Sequence, residues 1–266
     1  MFLNIITGRA GTGKTTRCLR EIRQELERKP LGDPLILLVP EQASFQTERA
    51  LTGATAAGGY MRAQVLGFRR LAHRVLQEAG GAVKVPLGET GKRMVLRRLL
   101  ENRRAELRIL QRAADMPGFV DQLAGVLGEM KTYRVGPEDL GRCRDRLRGS
   151  GRGAALINKL HDLQMIFADL ETFIRDRFTD PDDYLTLAAE KIGSCRWLAS
   201  ARVWVDGFTG YTPREYAVLS ALIRHTAGVS VALCLPPDLT GKALPETDPF
   251  YPVWETCNTL VELAAR

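Results

Sequence analysis

Read for where its apolar residues fall, the chain changes character twice. Phe2-Leu3-Asn4-Ile5-Ile6 is a short apolar run, after which Leu19, Ile22 and Leu26 recur three and four residues apart. The run reads as a strand, and residues 14–29 as an amphipathic helix that Pro30 closes. Leu35-Ile36-Leu37-Leu38-Val39 is continuously apolar, the pattern of a strand covered on both faces of a parallel sheet. Residues 47–52 continue as a helix. Arg62-Ala63-Gln64-Val65-Leu66 alternates like a strand, and residues 68–78 put Phe68, Leu71, Ala72, Val75 and Leu76 on one helix face, with Arg69, Arg70 and Arg74 on the other and Gly80-Gly81 as the stop. Three β-α units in a row predict a parallel sheet with helices on its faces.

From about Pro86 the pattern is helical only. One helix is expected over residues 89–111. A second, from Pro117, carries Phe119, Leu123, Val126, Met130 and Tyr133, and a third over residues 155–178 carries Leu156, Leu160, Leu163, Phe167, Leu170 and Ile174. Stripes at this spacing make the core of a bundle. Gly149-Ser150-Gly151-Arg152-Gly153 reads as a flexible connection within it. At Trp197 the α/β rhythm returns, with strands over residues 201–206 and 229–235, a helix over 213–225, and a last helix over 252–266 that has no stop signal. The expected fold class is therefore α/β: a domain with a parallel sheet, residues 1–85 plus 197–266, interrupted by an all-α insertion, residues 86–196. The open-ended last helix makes a piece of a longer protein the expectation.

The chemistry enters with Gly8-Arg9-Ala10-Gly11-Thr12-Gly13-Lys14-Thr15, an unbroken G-x-x-x-x-G-K-[ST] loop between the first strand and the first helix. Glycines let such a backbone wrap a polyphosphate, and the N–H groups of the loop and helix start point at its oxygens. Lys14 is expected at the β- and γ-phosphates and the Thr15 hydroxyl on Mg²⁺. Asp206, at the end of Val203-Trp204-Val205, is the expected second Mg²⁺ ligand; the other reading is an acid opening a turn before Gly207. The next carboxylate after Asp206 is Glu215, so a general base is lacking and turnover should lose the roughly 10²- to 10⁴-fold such a group supplies.

Composition adds less. The 266 residues are 45% hydrophobic, enough for a full core, and no apolar run approaches the roughly 20 residues of a membrane span. A cytoplasmic protein is expected. Cys18, Cys143, Cys195, Cys234 and Cys257 are scattered without metal-ligand spacing. The net charge of +7 is uneven: residues 92–112 hold eight Lys/Arg against two acids. Arg93, Arg97, Arg104 and Arg108, spaced four, seven and four on the expected helix, would line one face. That face could track nucleic-acid phosphates, or be an ordinary solvated surface. Glu41-Gln42-Ala43-Ser44-Phe45 follows the second core strand at the edge where ligands gather in α/β sheets; a capped helix start is the alternative there.

The loop motif, Val39-Pro40-Glu41-Gln42-Ala43-Ser44-Phe45, Val65-Leu66-Gly67-Phe68-Arg69-Arg70-Leu71 and Val205-Asp206-Gly207-Phe208-Thr209-Gly210-Tyr211-Thr212-Pro213 together resemble the amino-terminal region of the AddB family, subunits of bacterial helicase–nucleases. The resemblance covers essentially the whole chain. It implies a RecA-like domain of superfamily 1 helicase type (1A) split by a helical 1B insertion, with ATP and Mg²⁺ as cofactors. It also implies single-stranded DNA near Glu41, Gln42, Ser44 and Phe68, and an AddA-like partner subunit that drives translocation. The family's iron–sulfur cysteines and nuclease carboxylates lie in a distant carboxyl-terminal region, and none of the five cysteines here corresponds to them. Gly67 stands where the family more often has Ser, and Gly207 where an active helicase has its catalytic Glu. Nothing before the first strand supplies an adenine-reading glutamine motif, and Pro236-Pro237 stands in place of a Gly-Asp-x-x-Gln sensor. A helicase-like module of a recombinational repair nuclease is the leading expectation. A free-standing P-loop kinase or ATPase, and an interaction scaffold with a vestigial loop, are the alternatives.

Overall fold

The computed structural model describes residues 2–53, 59–80, 85–149, 153–175 and 177–265. Gly81, the middle of the Gly149–Gly153 linker, Asp176 in the third expected helix and Arg266 in the last one lie outside the described residues. The chain divides into two compact units, Met1–Gly81 with Leu185–Arg266, and Ala82–Tyr184.

In the first unit the chain runs β1 (Leu3–Thr7), α1 (Lys14–Arg28), β2 (Leu35–Leu38), a 3₁₀ turn (Glu41–Ala43), α2 (Ser44–Thr52), β3 (Ala63–Leu66) and α3 (Phe68–Ala79). The second unit holds β4 (Val85–Pro86), α4 (Glu89–Asn102), α5 (Leu110–Ala113), α6 (Phe119–Thr132), α7 (Pro137–Gly149), α8 (Ala154–Arg175) and β5 (Phe178–Thr179). After α9 (Tyr184–Lys191) and α10 (Arg196–Ala199), the first unit is completed by β6 (Arg202–Val205), α11 (Pro213–His225), β7 (Gly228–Leu233) and α12 (Tyr251–Ala265).

The sheet of the first unit is parallel throughout, in the order β1-β7-β6-β2-β3. Thr7 pairs with Leu233, Val205 with Val231 and with Leu38, and Leu38 with Leu66. The carboxyl ends of all these strands therefore lie along one edge. The continuous apolar run of β2 has its reason here. Alternate side chains leave opposite faces of a strand, and Leu35 and Leu37 pack with Cys18, Ile22 and Leu26 of α1, while Ile36 and Leu38 are equally buried on the other face. Residues 185–196, expected in the insertion, fall in this unit: the 3₁₀ turn Ile192–Ser194 and α10 pack on α11.

The second unit departs from the expected pattern in four respects. The 89–111 helix stops at Asn102 and a short α5 follows. α7 is announced only weakly, because seven of the 13 residues in PEDLGRCRDRLRG are charged and the short Leu140, Cys143, Leu147 stripe is thin; it buries Leu140 and Gly141. In α6 the buried face is Leu123, Ala124 and Leu127, with Val126 and Tyr133 exposed. The unit is also not all-α, since β4 and β5 form a parallel two-stranded ladder pairing Val85 with Phe178 and Pro86 with Thr179. Two-residue strands have no period to read, and only the fold brings them together. α8 supplies the core as expected through Leu160, Leu163, Phe167, Leu170 and Ile174.

Candidate nucleotide site and the sheet edge around it

The G-x-x-x-x-G-K-T loop links β1 to α1 at the carboxyl edge. Gly11 and Gly13 lie at φ 79° and 84°, the left-handed region where a side chain costs about 1–2 kcal/mol. A Cβ on Gly8 would strike the Thr12 hydroxyl, which itself donates to the Arg9 carbonyl at 2.8 Å. The fixed glycines are thus demanded by the loop's own path. The Lys14 ammonium crosses the loop and donates to the Gly8 and Arg9 carbonyls, each at 2.8 Å. Those bonds use two of its three donors. α1 starts at Lys14 with no acid in its first turn, so Ala10, Thr12 and the glycines present the positive end of a helix without an internal counter-charge. Thr15 is exposed at that end. A cavity of about 640 Å³ opens over the loop, bounded by Gly8, Arg9, Thr12, Gly13 and Lys14 and, beyond them, by Thr16, Arg17, Arg20 and Pro237. Sequence reasoning missed these last four, since nothing in their spacing marks them.

Asp206 follows β6 on the same edge. It is 7% exposed, and its backbone N–H donates to the Leu38 carbonyl at 2.9 Å. β7 stands between β1 and β6; with strands about 4.8 Å apart, the loop and the acid are separated by roughly two strand spacings. The charge of Asp206 reaches α1. Cys18 is pushed up to about 12, first by burial and then by the negative charges of Asp206 and Glu21. A hydroxyl and a carboxylate suit Mg²⁺, a hard ion that takes one or two protein oxygens and fills its shell with phosphate and water. Among the described residues no group of three or more His, Cys, Asp or Glu could hold a metal by itself.

Gly207 is at φ 83°, and a Cβ there would lie 3.2 Å from Pro40 Cδ. A glutamate at this position would be strained as well as crowded. Glu215, the next acid, is committed elsewhere: it accepts from the Thr212 backbone at 2.7 Å while its own N–H donates to the Thr212 hydroxyl at 3.3 Å, a capping box that starts α11.

The expected DNA residues divide. Glu41 and Gln42 lie in the turn after β2, Glu41 exposed. Ser44 lies inside the helical segment, and its hydroxyl donates back to the Glu41 carbonyl at 2.8 Å, so the capped-helix alternative does not hold. The Glu41 carboxylate fills the space that a side chain on Gly67 would need. Phe45, 72% exposed, stands beside them. Phe68 is different: it is 4% exposed, with its ring centroid 5.3 Å from that of Phe208 and 6.1 Å from that of Tyr211. It packs the loops together and its face is not open to a base, which corrects its expected role.

The arginine face also requires correction. Because α4 ends at Asn102, Arg104 and Arg108 lie beyond the helix that carries Arg93 and Arg97. Arg93 pairs with Asp121 at 2.7 Å, Arg97 with Glu101 at 3.3 Å, and Arg104 with both oxygens of Asp115 at 2.9 and 2.5 Å. Arg108 donates to the Asn158 side chain at 3.2 Å. Two of the compensating acids, Asp115 and Asp121, lie outside the 92–112 stretch that holds the excess of basic residues.

Residues 5–266 match the family model described as ADDB, N-terminal. The chain is similar to the B subunit of the ATP-dependent helicase/deoxyribonuclease of Pelotomaculum thermopropionicum, at 52% identity over 266 residues, covering 100% of this chain and 23% of that protein. The corresponding protein of Desulforudis audaxviator is 54% identical over 266 residues with the same two shares, and that of Heliobacterium modesticaldum 50% identical over 264 residues, covering 99% and 22%. The chain thus spans under a quarter of the length of these relatives. No helix among the described residues is long and apolar enough to cross a membrane.

Proposed function

Because the chain belongs to the ADDB amino-terminal family, we propose that it is the helicase-like module of the B subunit of an ATP-dependent helicase/deoxyribonuclease, and that it binds ATP and single-stranded DNA in recombinational repair of double-strand breaks. The α/β unit serves as a RecA-like 1A domain and the helical unit as its 1B insertion, in a cytoplasmic heterodimer with an AddA-like protein. The observation that carries this reading is convergence. One parallel sheet delivers the phosphate loop, Asp206 and the Glu41-Gln42-Ser44 turn to the same edge.

In this reading Lys14 and the loop N–H groups hold the phosphates, and Thr15 and Asp206 hold Mg²⁺, which would neutralise phosphate charge. Glu41, Gln42 and Ser44 face the DNA strand. Hydrolysis is weak, because Gly207 offers no carboxylate and Glu215 is engaged in its capping box. The experiment is calorimetry with Mg·ATP on the chain and on its Lys14→Ala variant. Loss of the binding heat in the variant, with an unchanged melting temperature, is expected; equal heats from the two proteins would sink the proposal.

A further inference from the structure

With phosphates on the loop, the rest of the 640 Å³ cavity is open to the nucleoside, and its walls are unusual in what they offer. Beyond the loop itself they are Ile6, Thr7, Thr16, Arg17, Arg20 and Pro237. A guanidinium only donates, a proline ring does neither, and a hydroxyl serves a donor or an acceptor alike. The Glu21 carboxylate, which does not line the cavity, already accepts from Arg17 Nε at 2.9 Å on one oxygen and from Trp204 Nε1 at 2.9 Å on the other. Arg20 is exposed and makes no ion pair among the described residues.

Adenine shows a donor, its N6 amine, where guanine shows the O6 acceptor; N7 accepts in both. None of the described residues lining the cavity carries a carboxylate or amide side chain, so its charged groups only donate; that matches the guanine O6/N7 edge in bidentate fashion and, beyond the loop itself, leaves the adenine amine only the Thr7 and Thr16 hydroxyls as side-chain acceptors. A planar guanidinium also stacks on either ring. We infer that this site accepts purine nucleoside triphosphates without preferring adenine, with Arg20 as the residue that contacts the base. The inference rests on the phosphate-loop reading above and deepens it.

The test measures the affinities of Mg·ATP, Mg·GTP and Mg·tripolyphosphate, the last being a ligand for the loop alone, on the chain and on its Arg20→Ala and Arg20→Lys variants. GTP is expected to bind the parent at least as tightly as ATP. Arg20→Ala should weaken GTP about tenfold and leave tripolyphosphate within twofold. Arg20→Lys should not restore GTP, since an ammonium keeps the charge but lacks the planar fork. ATP favoured more than tenfold over GTP in the parent overturns the inference while leaving the phosphate loop intact. Equal weakening of all three ligands by Arg20→Ala, reversed by Arg20→Lys, also overturns it, because Arg20 would then be reading phosphate. If none of the three ligands binds the parent, the phosphate-loop reading itself fails.

Discussion

Both units carry many charged side chains, and two places in them use cations in opposite ways. At the carboxyl edge of the sheet, Lys14 leans only on backbone carbonyls, and Arg9 and Arg20 border an open cavity. In the helical unit the two buried lysines are answered from within. Lys131 lies between Asp180, Asp183 and Glu171, each at 2.9 Å, and Lys92 contacts Asp180 and Asp182 at 3.5 and 2.5 Å. Lys92 and Lys131 are each 4% exposed. A count of basic residues therefore says little about what a surface binds. Whether the fold supplies the counter-charge decides, since a cation already paired must first give up its partner before it can hold a ligand.

That contrast is broken most forcefully at Lys131. Burial alone would lower its pKa, but Asp183 and Asp180 outweigh burial and hold it above the ordinary lysine value, so it stays charged at every working pH. Lys131→Met would leave Asp180 buried beside two further carboxylates with Lys92, 3.5 Å away, as its remaining cation; removing one partner of a buried pair costs about 3–5 kcal/mol, and a loss at the lower end, about 3 kcal/mol, is expected. Urea unfolding should show that loss, while the molecules that remain folded bind Mg·ATP as the parent does, because the candidate site belongs to the other unit. A loss below about 1 kcal/mol would mean that the network is not what holds β5 and the Pro181–Asp183 turn.

Asp162 sharpens the same comparison with a single acid. Fully buried on α8, its carboxylate accepts the backbone N–H groups of Arg108, Ile109 and Leu110 at 2.9–3.0 Å, which start α5. Burial pushes its pKa up, yet those three donors prevail and hold it below the usual carboxylate range. A depressed folded pKa contributes stability that is present above the unfolded value, about 4, and is lost as pH falls through the folded one. Asp162→Asn should cost about 1.5–3 kcal/mol at pH 7, the worth of hydrogen bonds to a charged group. Urea midpoints of parent and variant should converge as pH drops below about 4. A gap that stays constant from pH 7 to pH 3 would rule out the charged cap.

How far these features could be read beforehand follows from the range of the forces involved. β2, β3, β6, β7, α3 and α11 were legible because a continuous apolar run or a 3.6-residue stripe is imposed by burial and survives in one dimension. The loop was legible because φ near 80° at Gly11 and Gly13 requires glycine. By contrast, Phe68 joins an aromatic cluster with Phe208 and Tyr211, 140 and 143 positions along, and Asp162 caps a helix 52 residues before it. Lys131 meets acids 40 to 52 residues away. Those pairings come from the folded path, and no local window contains both members. Arg20 and Pro237 share a cavity for the same reason.

The smallest expected effect concerns the arginines that a local window made most conspicuous. Arg93, Arg97, Arg104 and Arg108 are each tied to Asp121, Glu101, Asp115 or Asn158, and these side chains sit at the surface, where such ties are weak and easily exchanged. If the ties hold, binding of a single-stranded oligonucleotide should have nearly the same salt dependence after all four become Gln. The logarithmic slope should move by less than about 0.7, the share of one phosphate contact. A slope shallower by about 2.8, the share of four phosphates, would show that DNA captures every guanidinium from its partner. The distinction between paired and open cations would then fail at the surface and survive only at Lys92 and Lys131, where burial keeps the partners from being exchanged.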